Sequence, residues 1–285
     1  MIVTTKELYI KAKAGGYAVG AFNVSTIEAI KGVLDAAREL NAPVVIETSE
    51  GEMNYMGSKL VADVVRDLAN DLTIPVGIHL DHGQSLASVQ EVIEAGYTSV
   101  HIDASALPYN QNLELTKKVV QYAHERGITV EGELGHVGGA SEVHDESAKI
   151  EKSTYTDPVK AAEFVRETGI DILASSIGNI HGIYENEPEL DFERLQKIGE
   201  IGIPLSLHGG SGIPEKQVKK AISLGITKVN VNTELRMAYT NTLHKELDAK
   251  PDEIVPYKYL PEEIEAVKNV VLEKIKMFGS EGKAV

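Results

Sequence analysis

The stretch IPLSLHGGSGIPEKQVKKAISLGITKVNVNTE, residues 203–234, decides the fold that this sequence predicts. It contains two short apolar runs, the second rich in β-branched residues. Between them lies a segment, residues 214–225, whose apolar residues recur three and four positions apart, as they do on one face of a helix. Gly225 ends that segment and is the expected helix stop. The order strand, helix, strand is the repeating unit of a parallel α/β sheet.

The same unit recurs along the whole chain. Its eight apolar runs are YAVGAFNV (17–24), APVVIETS (42–49), PVGIHLDH (75–82), TSVHIDAS (98–105), ITVEGELG (128–135), DILASSIG (171–178), IPLSLHGG (203–210) and TKVNVNTE (227–234). Eight strands alternating with helices predict an α/β fold, a (β/α)8 TIM barrel that forms one domain over residues 1–285. A doubly wound open sheet is the alternative, but no G-x-G-x-x-G turn follows the first strand.

Two segments depart from this rhythm. Residues 136–156 are glycine-rich, polar and acidic, and they are too long for a minimal connection. We interpret them as a mobile active-site loop. Residues 243–285 form a C-terminal helical extension, in which PEEIEAVKNVVLEKIKMFG predicts an additional long amphipathic helix. That helix is expected to cap the barrel or to pack against another subunit.

The overall composition excludes several classes of function. The chain of 285 residues has 43 acidic and 28 basic residues and a formal net charge of −15, which argues against binding to nucleic acid or to an anionic membrane. It has no cysteine, so a metal must be bound by His, Asp or Glu. No signal-peptide core and no apolar run of ~18 residues is present. We therefore expect a cytoplasmic protein without a membrane segment.

Three histidines, each followed by glycine, stand at the ends of predicted strands: His82, His181 and His208. In a parallel barrel these ends meet on one face, where catalytic groups lie. Three imidazoles with an open fourth position make the arrangement of a catalytic zinc. Asp81 would place a carboxylate within reach of whatever the metal binds. His79 and His101 fall inside strands, where a supporting role is expected.

The loops after the last two strands have the composition of a phosphate site. Gly209, Gly210 and Gly212 would let backbone N–H groups approach an anion, and Ser211 and Thr233 would add hydroxyl donors. Barrels commonly bind phosphate at these two positions.

These residues resemble the class II, metal-dependent ketose-bisphosphate aldolases, chiefly fructose-bisphosphate and tagatose-bisphosphate aldolases. The matching motifs are GYAVGAFNV, IHLDHG, SVHIDAS, VEGELGHVGG, GNIHGIY, PLSLHGGSGIP, KKAISLGITKVNVNTELR and KIKMFGS. The resemblance implies a carbon–carbon lyase of glycolysis and gluconeogenesis. It would cleave fructose 1,6-bisphosphate reversibly to dihydroxyacetone phosphate and glyceraldehyde 3-phosphate through a zinc-stabilised enediolate. A homodimer or homotetramer is also implied.

The resemblance assigns roles residue by residue. His82, His181 and His208 correspond to zinc ligands, and Asp81 corresponds to the acid/base that transfers the C4 hydroxyl proton. Two acidic residues near the zinc, which bind a second divalent metal or orient ligands, correspond to Asp103 and Glu133. The substrate contacts correspond to Asn23, Ser49, Gly182, Gly209, Ser211, Asn230, Asn232, Thr233 and, for the second phosphate, Arg236. Members also often bind Na+ or K+ near the phosphate site.

The chain departs from the family pattern in the loops. Ser141 stands at the position of the usual loop glutamate, so we assign the carboxylate that transfers the C3 proton to Glu142, with Glu146 in reserve. Many members have threonine or serine where this chain has Asn179. Many have a phosphate-binding lysine where this chain has Glu185, which leaves more of the phosphate binding to backbone donors, zinc and the second-phosphate arginine.

Three alternatives remain at this point. Tagatose 1,6-bisphosphate differs from the fructose compound only at C4, and Asn232 favours the fructose compound because tagatose-type members more often have alanine there. A non-catalytic sugar-phosphate-binding relative is the second alternative. The third is a Schiff-base aldolase, for which Lys228 is the only strand candidate.

Overall fold

The structure, a computed structural model, describes residues 1–147, 151–186 and 189–284. Its strands are β1 (Val19–Asn23), β2 (Val44–Ser49), β3 (Val76–Gly83), β4 (Ser99–Ile102), β5 (Thr129–Leu134), β6 (Gly139–Val143), β7 (Ile172–Ser175), β8 (His181–Ile183), β9 (Leu205–Leu207) and β10 (Ile226–Val231). All except β6 and β8 form a closed parallel barrel in the order β1-β10-β9-β7-β5-β4-β3-β2. The predicted TIM barrel is confirmed, and each of the eight apolar runs overlaps one barrel strand.

The helices in the described residues alternate with the barrel strands and surround them. They are α1 (Thr5–Gly15), α2 (Ile27–Glu39), α3 (Glu50–Met56), α4 (Ser58–Ala69), α5 (Leu86–Ala95), α6 (Tyr109–His124), α7 (Pro158–Thr168), α8 (Phe192–Gly199), α9 (Glu215–Ser223), α10 (Thr233–Ala249) and α11 (Pro261–Phe278). Side chains cap several of them: the hydroxyl of Thr26 accepts from Ala29 N at the start of α2, and Asp157 accepts from two backbone N–H groups at the start of α7. Strands such as β1 and β10 are buried at every position because helices cover the barrel and side chains fill it.

Helix α1 packs against the barrel interior, a role that the sequence did not predict. Its residues Leu8, Tyr9 and Ala12 are buried in one cluster with the barrel side chains Val19, Ala21, Val45 and Ile172. A Cβ atom on Gly77 would lie 2.5 Å from the Thr5 methyl carbon, so glycine is required where the helix approaches β3. The segment TKELYIKAKAG is mostly polar, and its narrow apolar stripe gave no sign of this contact.

The segment after β5 contains a strand where the sequence predicted only a loop. Strand β6 pairs with β8 in a small parallel sheet, in which Gly139 is opposite His181 and Val143 is opposite Ile183. His144 N donates to the carbonyl of Ile183 at 2.8 Å and extends the pairing. The predicted loop therefore contributes structure next to a candidate metal ligand. Its residues 148–150 lie outside the described residues.

The C-terminal extension contains the predicted additional helix. Helix α11 lies against α2 and α10 of its own chain, with Val267 and Val271 fully buried. A Cβ on Gly32 of α2 would lie 2.7 Å from the carbonyl oxygen of Ile264, which shows how closely the two helices approach. The helix covers the side of the barrel next to β1, where Ala18 N donates to the carbonyl of Phe278 at 3.0 Å.

Candidate active site

The three histidines predicted as zinc ligands meet at the C-terminal end of the barrel. Nε2 of His82 lies 2.9 Å from Nδ1 of His208 and 3.2 Å from Nε2 of His181. Nitrogens bound tetrahedrally to zinc at about 2.0–2.1 Å are about 3.3 Å apart. Each of these two distances fits a pair of ligands on one zinc ion, whereas the ligand atoms that all lie within 4.8 Å of one another are those of Asp81, His82, His101 and His208.

The outward nitrogen of each imidazole contacts an oxygen that accepts a hydrogen bond. The pairs are His82 Nδ1 with Asp103 (2.8 Å), His208 Nε2 with Glu131 (2.7 Å) and His181 Nδ1 with the Gly138 carbonyl (3.2 Å). Each outward nitrogen thus donates a proton to its oxygen, so the inward nitrogens are the atoms that can bind a metal ion or, at His82, a second proton. Lone pairs this close repel one another unless a cation lies between them, so the donor set fits a metal with its orienting shell in place.

The local charges also favour a cation at this point. Burial alone would lower the pKa of His82, but the carboxylates of Asp81 and Asp103 outweigh it and raise the pKa to about 10. Burial lowers the pKa of His181 to about 3. The site therefore favours one positive charge at the nitrogen of His82 that faces the other two rings.

A backbone irregularity lets two consecutive residues of β3 reach the site. Neighbouring side chains on a strand point to opposite faces, yet Asp81 and His82 both face the barrel mouth. The pairing of β3 with β4 shifts register between Leu80 and Gly83, and His82 has a φ of 50°. Such a bulge re-aims a side chain, and strained backbone of this kind clusters at functional sites.

His101 supports this bulge from β4. Its Nδ1 accepts a hydrogen bond from the backbone N–H of His82 at 3.2 Å. Burial lowers the pKa of His101 to about 3, which keeps the ring neutral and able to accept. Its Nε2 lies 3.5 Å from Oε2 of Glu133. The ring therefore contacts a candidate ligand from inside the barrel, and it also offers a ligand atom within 4.8 Å of those of Asp81, His82 and His208.

Asp103 and Glu133 form a second acidic group beside His82. The three residues offer ligand atoms that all lie within 4.8 Å of one another. Burial, with the adjacent charge of Asp103, raises the pKa of Glu133 to about 8. Oε2 of Glu133 has no hydrogen-bond partner among the described residues. A buried carboxylate oxygen without a hydrogen-bond partner is suited to bind a second cation.

Asp81 lies next to the imidazoles and is held by two amides. Asn23 Nδ2 donates to one carboxylate oxygen at 3.1 Å, and Asn230 Nδ2 donates to the other at 3.0 Å. Burial would raise the pKa of Asp81, but the charges of His82 and His208 outweigh it and hold the pKa well below its usual range. The carboxylate is therefore ionised and fixed in place.

Lys228 is fully buried inside the barrel and is not available as a nucleophile. Its Nζ lies 2.8 Å from Glu131 and 3.4 Å from Glu47. Burial would lower the pKa of Lys228, but these two carboxylates raise it above its usual range. A Schiff-base lysine must be a neutral, accessible amine, whereas this amine is enclosed in the barrel between two carboxylates, so the structure argues against the lysine mechanism.

A narrow cavity opens beside Asp81, and the glycine-rich loops line it. Its lining residues are Asn23, Asp81, Ser141, His181, Gly182, Gly209, Gly210, Ser211, Asn230, Asn232 and Thr233. Thr233 is the first residue of α10, whose N-terminus favours an anion. All but two of the predicted substrate contacts therefore lie in this cavity.

The loops of the cavity approach one another too closely for side chains. A Cβ on Gly209, which has a φ of 64°, would lie 2.2 Å from the carbonyl oxygen of Ile180. Asn179 fixes the same contact, because its side chain donates to the carbonyl of His208 at 3.1 Å and accepts from Ile177 N at 2.8 Å. Asn179 thus joins the segment that carries His181 to the segment that carries His208.

The other two predicted substrate contacts, Ser49 and Arg236, lie beside this cavity and share a partner. Ser49 N and Oγ both donate to Glu52, at 2.8 and 3.0 Å. Arg236 Nη2 donates to the same carboxylate at 2.7 Å, and its Nη1 donates to the carbonyl of Ser141 at 3.0 Å. The structure therefore brings the candidate second-phosphate residue to the rim of the site.

The loop carboxylates lie farther out. On β6, Ser141 lines the cavity, whereas the side chain of Glu142 is exposed. Glu146 and Glu185 are also exposed, and Glu185 N donates to the carbonyl of Glu146 at 3.3 Å. The structure does not bring these carboxylates to the metal-binding group.

Sequence reasoning gave no role in the site to Glu52 and did not pair Glu131 with His208 or Lys228. Glu131 and Lys228 interrupt otherwise apolar strands, and a charged residue in such a position indicates a partner inside the barrel. Glu52 lies three residues after Ser49, which is the spacing of a capping box. That signal predicts a helix start but not the contact with Arg236.

A closed parallel barrel with three converging imidazoles beside a carboxylate defines an enzyme active site suited to a metal. The model of the class II fructose-bisphosphate aldolase family matches residues 3–283. The fructose-bisphosphate aldolases of Staphylococcus epidermidis and Geobacillus stearothermophilus are 46% and 45% identical over 287 residues, covering 99% of this chain and of each relative. This chain belongs to the class II fructose-bisphosphate aldolase family and is a metal-dependent aldolase, a carbon–carbon lyase.

Solved structures agree with this assignment. The YdjI aldolase from Escherichia coli K12 superposes with a TM-score of 0.88 at 38% identity and covers 100% of both chains. The fructose-bisphosphate aldolase from Campylobacter jejuni gives a TM-score of 0.85 at 24% identity, covering 99% of this chain and 96% of that one. At that identity the second likeness shows the fold alone. No helix in the described ranges has the length and apolar character needed to span a membrane.

Proposed function

We propose that this chain cleaves fructose 1,6-bisphosphate reversibly to dihydroxyacetone phosphate and glyceraldehyde 3-phosphate, with zinc bound by His82, His181 and His208. The observation that carries the proposal is the approach of His181 and His208 nitrogens to Nε2 of His82, next to an Asp81 carboxylate that Asn23 and Asn230 hold in place. When bound, zinc supplies a Lewis acid that offsets the negative charge developing beside the C2 carbonyl. Asp103 and Glu133 are the proposed ligands of a second divalent ion.

The chain's own residues account for the proton transfers. In cleavage, Asp81 takes the proton of the C4 hydroxyl as the C3–C4 bond breaks, and in condensation it returns that proton. The bonding electrons remain on C3, which must then be protonated. We assign this second transfer to Glu142, which directly follows the cavity residue Ser141. Because its side chain is exposed, the assignment requires β6 to rearrange over the substrate.

The cavity accounts for the binding of the substrate. The glycine loops, Ser211 and the N-terminus of α10 supply N–H and hydroxyl donors for the C1 phosphate. These backbone donors compensate for the absent lysine at Glu185. Arg236 at the rim is placed to meet the second phosphate. A Na+ or K+ ion near the phosphate loops, a homodimer or homotetramer and a cytoplasmic location remain predictions from the family resemblance.

A coupled triose phosphate assay tests the proposal. Removal of metal with a chelator should abolish cleavage of fructose 1,6-bisphosphate, because no Lewis acid then offsets the charge that develops beside the C2 carbonyl. Added zinc should restore cleavage. Tagatose 1,6-bisphosphate should give a lower kcat/KM. Activity that survives the chelator, or borohydride trapping of a lysine adduct, would refute the metal mechanism. The opposite substrate ratio would make the chain a tagatose-bisphosphate aldolase.

A further inference from the structure

A second cavity adjoins the catalytic one and meets it at Asn23. It has a volume of about 240 Å³ and is lined by Asn23, Ser25, Thr26, Ala29, Glu52, Leu235, Arg236, Tyr239, Thr240 and Val267. The amide of Asn23 contacts both Asp81 and Glu52, at 3.1 Å each. The second cavity therefore offers space, past Asn23, for the far end of a substrate that is cleaved beside Asp81.

Glu52 places a fixed negative charge on the wall of the second cavity. Its Oε2 accepts from Ser49 N, Ser49 Oγ and Asn23 Nδ2, and its Oε1 contacts Arg236 Nη2 at 2.7 Å. The Glu52 side chain is 7% exposed, against 44% for Arg236. The carboxylate is thus held by several donors and cannot swing away, whereas the guanidinium has freedom to move.

The charges of this pair bear directly on what the cavity binds. Among the described residues that line the two cavities, Arg236 is the one arginine or lysine, and Glu52 is the carboxylate paired with it. A phosphate dianion at Arg236 must compete with Glu52 for the guanidinium and is repelled by it. A far end that carries uncharged hydroxyl groups does not compete for Arg236 and is not repelled by Glu52. Ser25, Thr26 and Thr240 offer it hydrogen-bonding hydroxyl groups.

We propose that Glu52 is a specificity-determining residue, which weakens binding of a phosphate at the far end of the substrate relative to an uncharged hydroxylated end. The inference rests on the proposed aldolase function. It predicts that the pairing of Glu52 with Arg236 reduces the preference of the enzyme for ketose bisphosphates over ketose 1-phosphates. This preference is the ratio of the two kcat/KM values, for compounds that share the same C1 phosphate.

Glu52→Gln tests this inference with little change of shape. The amide oxygen replaces Oε2 as the acceptor for Ser49, and the amide nitrogen faces Arg236, which loses its partner. The measurement is kcat/KM for fructose 1,6-bisphosphate and for fructose 1-phosphate. We expect the ratio of the two constants to rise about tenfold in favour of the bisphosphate, mainly through KM, because a nearby repulsive charge is removed. The value for fructose 1-phosphate should change little.

Two further variants sharpen the experiment. Glu50→Gln makes the same charge change on the same helix, but Glu50 contacts Gln84 N instead of lining either cavity, so its ratio should match the wild type. Glu52→Ala should also raise the ratio of kcat/KM values in favour of the bisphosphate. Its activity on both compounds should be lower, because Ser49 and Asn23 lose their hydrogen-bond acceptor. Thermal unfolding midpoints verify that each variant is folded.

The outcomes separate the two levels of the argument. In one outcome the wild type is active on the bisphosphate, while Glu52→Gln and Glu52→Ala have the same ratio of kcat/KM values as Glu50→Gln. That result overturns the role of Glu52 and leaves the proposed function in place. A zinc-loaded wild type that cleaves neither compound overturns the proposed function and this inference with it.

Discussion

At the scale of the residue, the site depends on which way neighbouring side chains point. On β3 a bulge turns both Asp81 and His82 toward the barrel mouth, so two consecutive side chains reach the candidate site. Strand β6 is irregular too, with a register shift between Gly139 and Val143, and only Ser141 of the pair Ser141 and Glu142 lines the cavity. The sequence placed all four residues near the site. It did not determine their directions, because these follow from backbone register and not from residue type.

The first prediction concerns the loop carboxylate. Glu142→Ala should lower kcat by about 100-fold and change KM little, because a general acid/base acts in the transition state and not in binding. The measurement is steady-state cleavage of fructose 1,6-bisphosphate, with Glu146→Ala as the matched control on the same loop. If Glu146→Ala has the larger effect on kcat, the C3 proton transfer belongs to Glu146 instead.

At the scale of the element, the small sheet of β6 and β8 fixes one candidate ligand. His181 is the first residue of β8, and both its N–H and its Nδ1 contact the carbonyl of Gly138. The neighbouring Gly139 has a φ of 87°, and a Cβ there would lie 2.4 Å from the carbonyl oxygen of His181. The loop that follows β5 is thus part of the scaffold of the metal-binding group.

Two adjacent alanine substitutions test this view. Gly139→Ala should displace the backbone of His181 and weaken zinc affinity by about tenfold, the usual effect of losing a contact that orients a ligand. Gly138→Ala places its Cβ in open space and should bind zinc like the wild type. Competition with a chromophoric chelator measures both affinities. Equal affinities for the two variants would mean that the sheet does not hold His181 in place.

At the scale of the whole molecule, the barrel interior changes from apolar to charged toward the active site. Side chains of α1 and of neighbouring strands fill one part of it with apolar groups. Toward the active site, Lys228 contacts both Glu47 and Glu131, and Glu131 in turn accepts a hydrogen bond from His208. Burial raises the pKa of Glu47, whereas Lys228 and His208 outweigh burial at Glu131 and lower its pKa. These directions favour a charged pair of Lys228 and Glu131 beside a neutral Glu47 carboxyl.

Lys228→Met should destabilise the fold by about 3–5 kcal/mol, because it leaves Glu131 charged and buried without its main partner. Lys216→Met, an exposed substitution on α9, is the control and should change the free energy of unfolding little. Urea unfolding at pH 7 measures both. An equally stable Lys228→Met variant would contradict a supporting role for the interior ion pair.

The same pair predicts a pH dependence. The folded-state pKa of Lys228 is raised, so its contribution to stability is complete below the unfolded-state pKa of about 10.4 and falls as pH rises beyond it. The folded-state pKa of Glu131 is lowered, so its contribution is complete above about 4.3 and falls in acid. The difference between the wild type and Lys228→Met should therefore be largest near neutral pH.

The sequence by itself determined the eight strands, their alternation with helices and the end of the barrel at which the polar residues gather. These features follow from local periodicity, and the family motifs identify the candidate ligands without any knowledge of their partners. Only the tertiary structure decided the contact of α1 with the barrel interior, the pairing of β6 with β8, the tautomers of the three histidines and the contact of Glu52 with Arg236. Each of these joins segments distant in sequence, and such contacts depend on how the closed barrel brings its loops together.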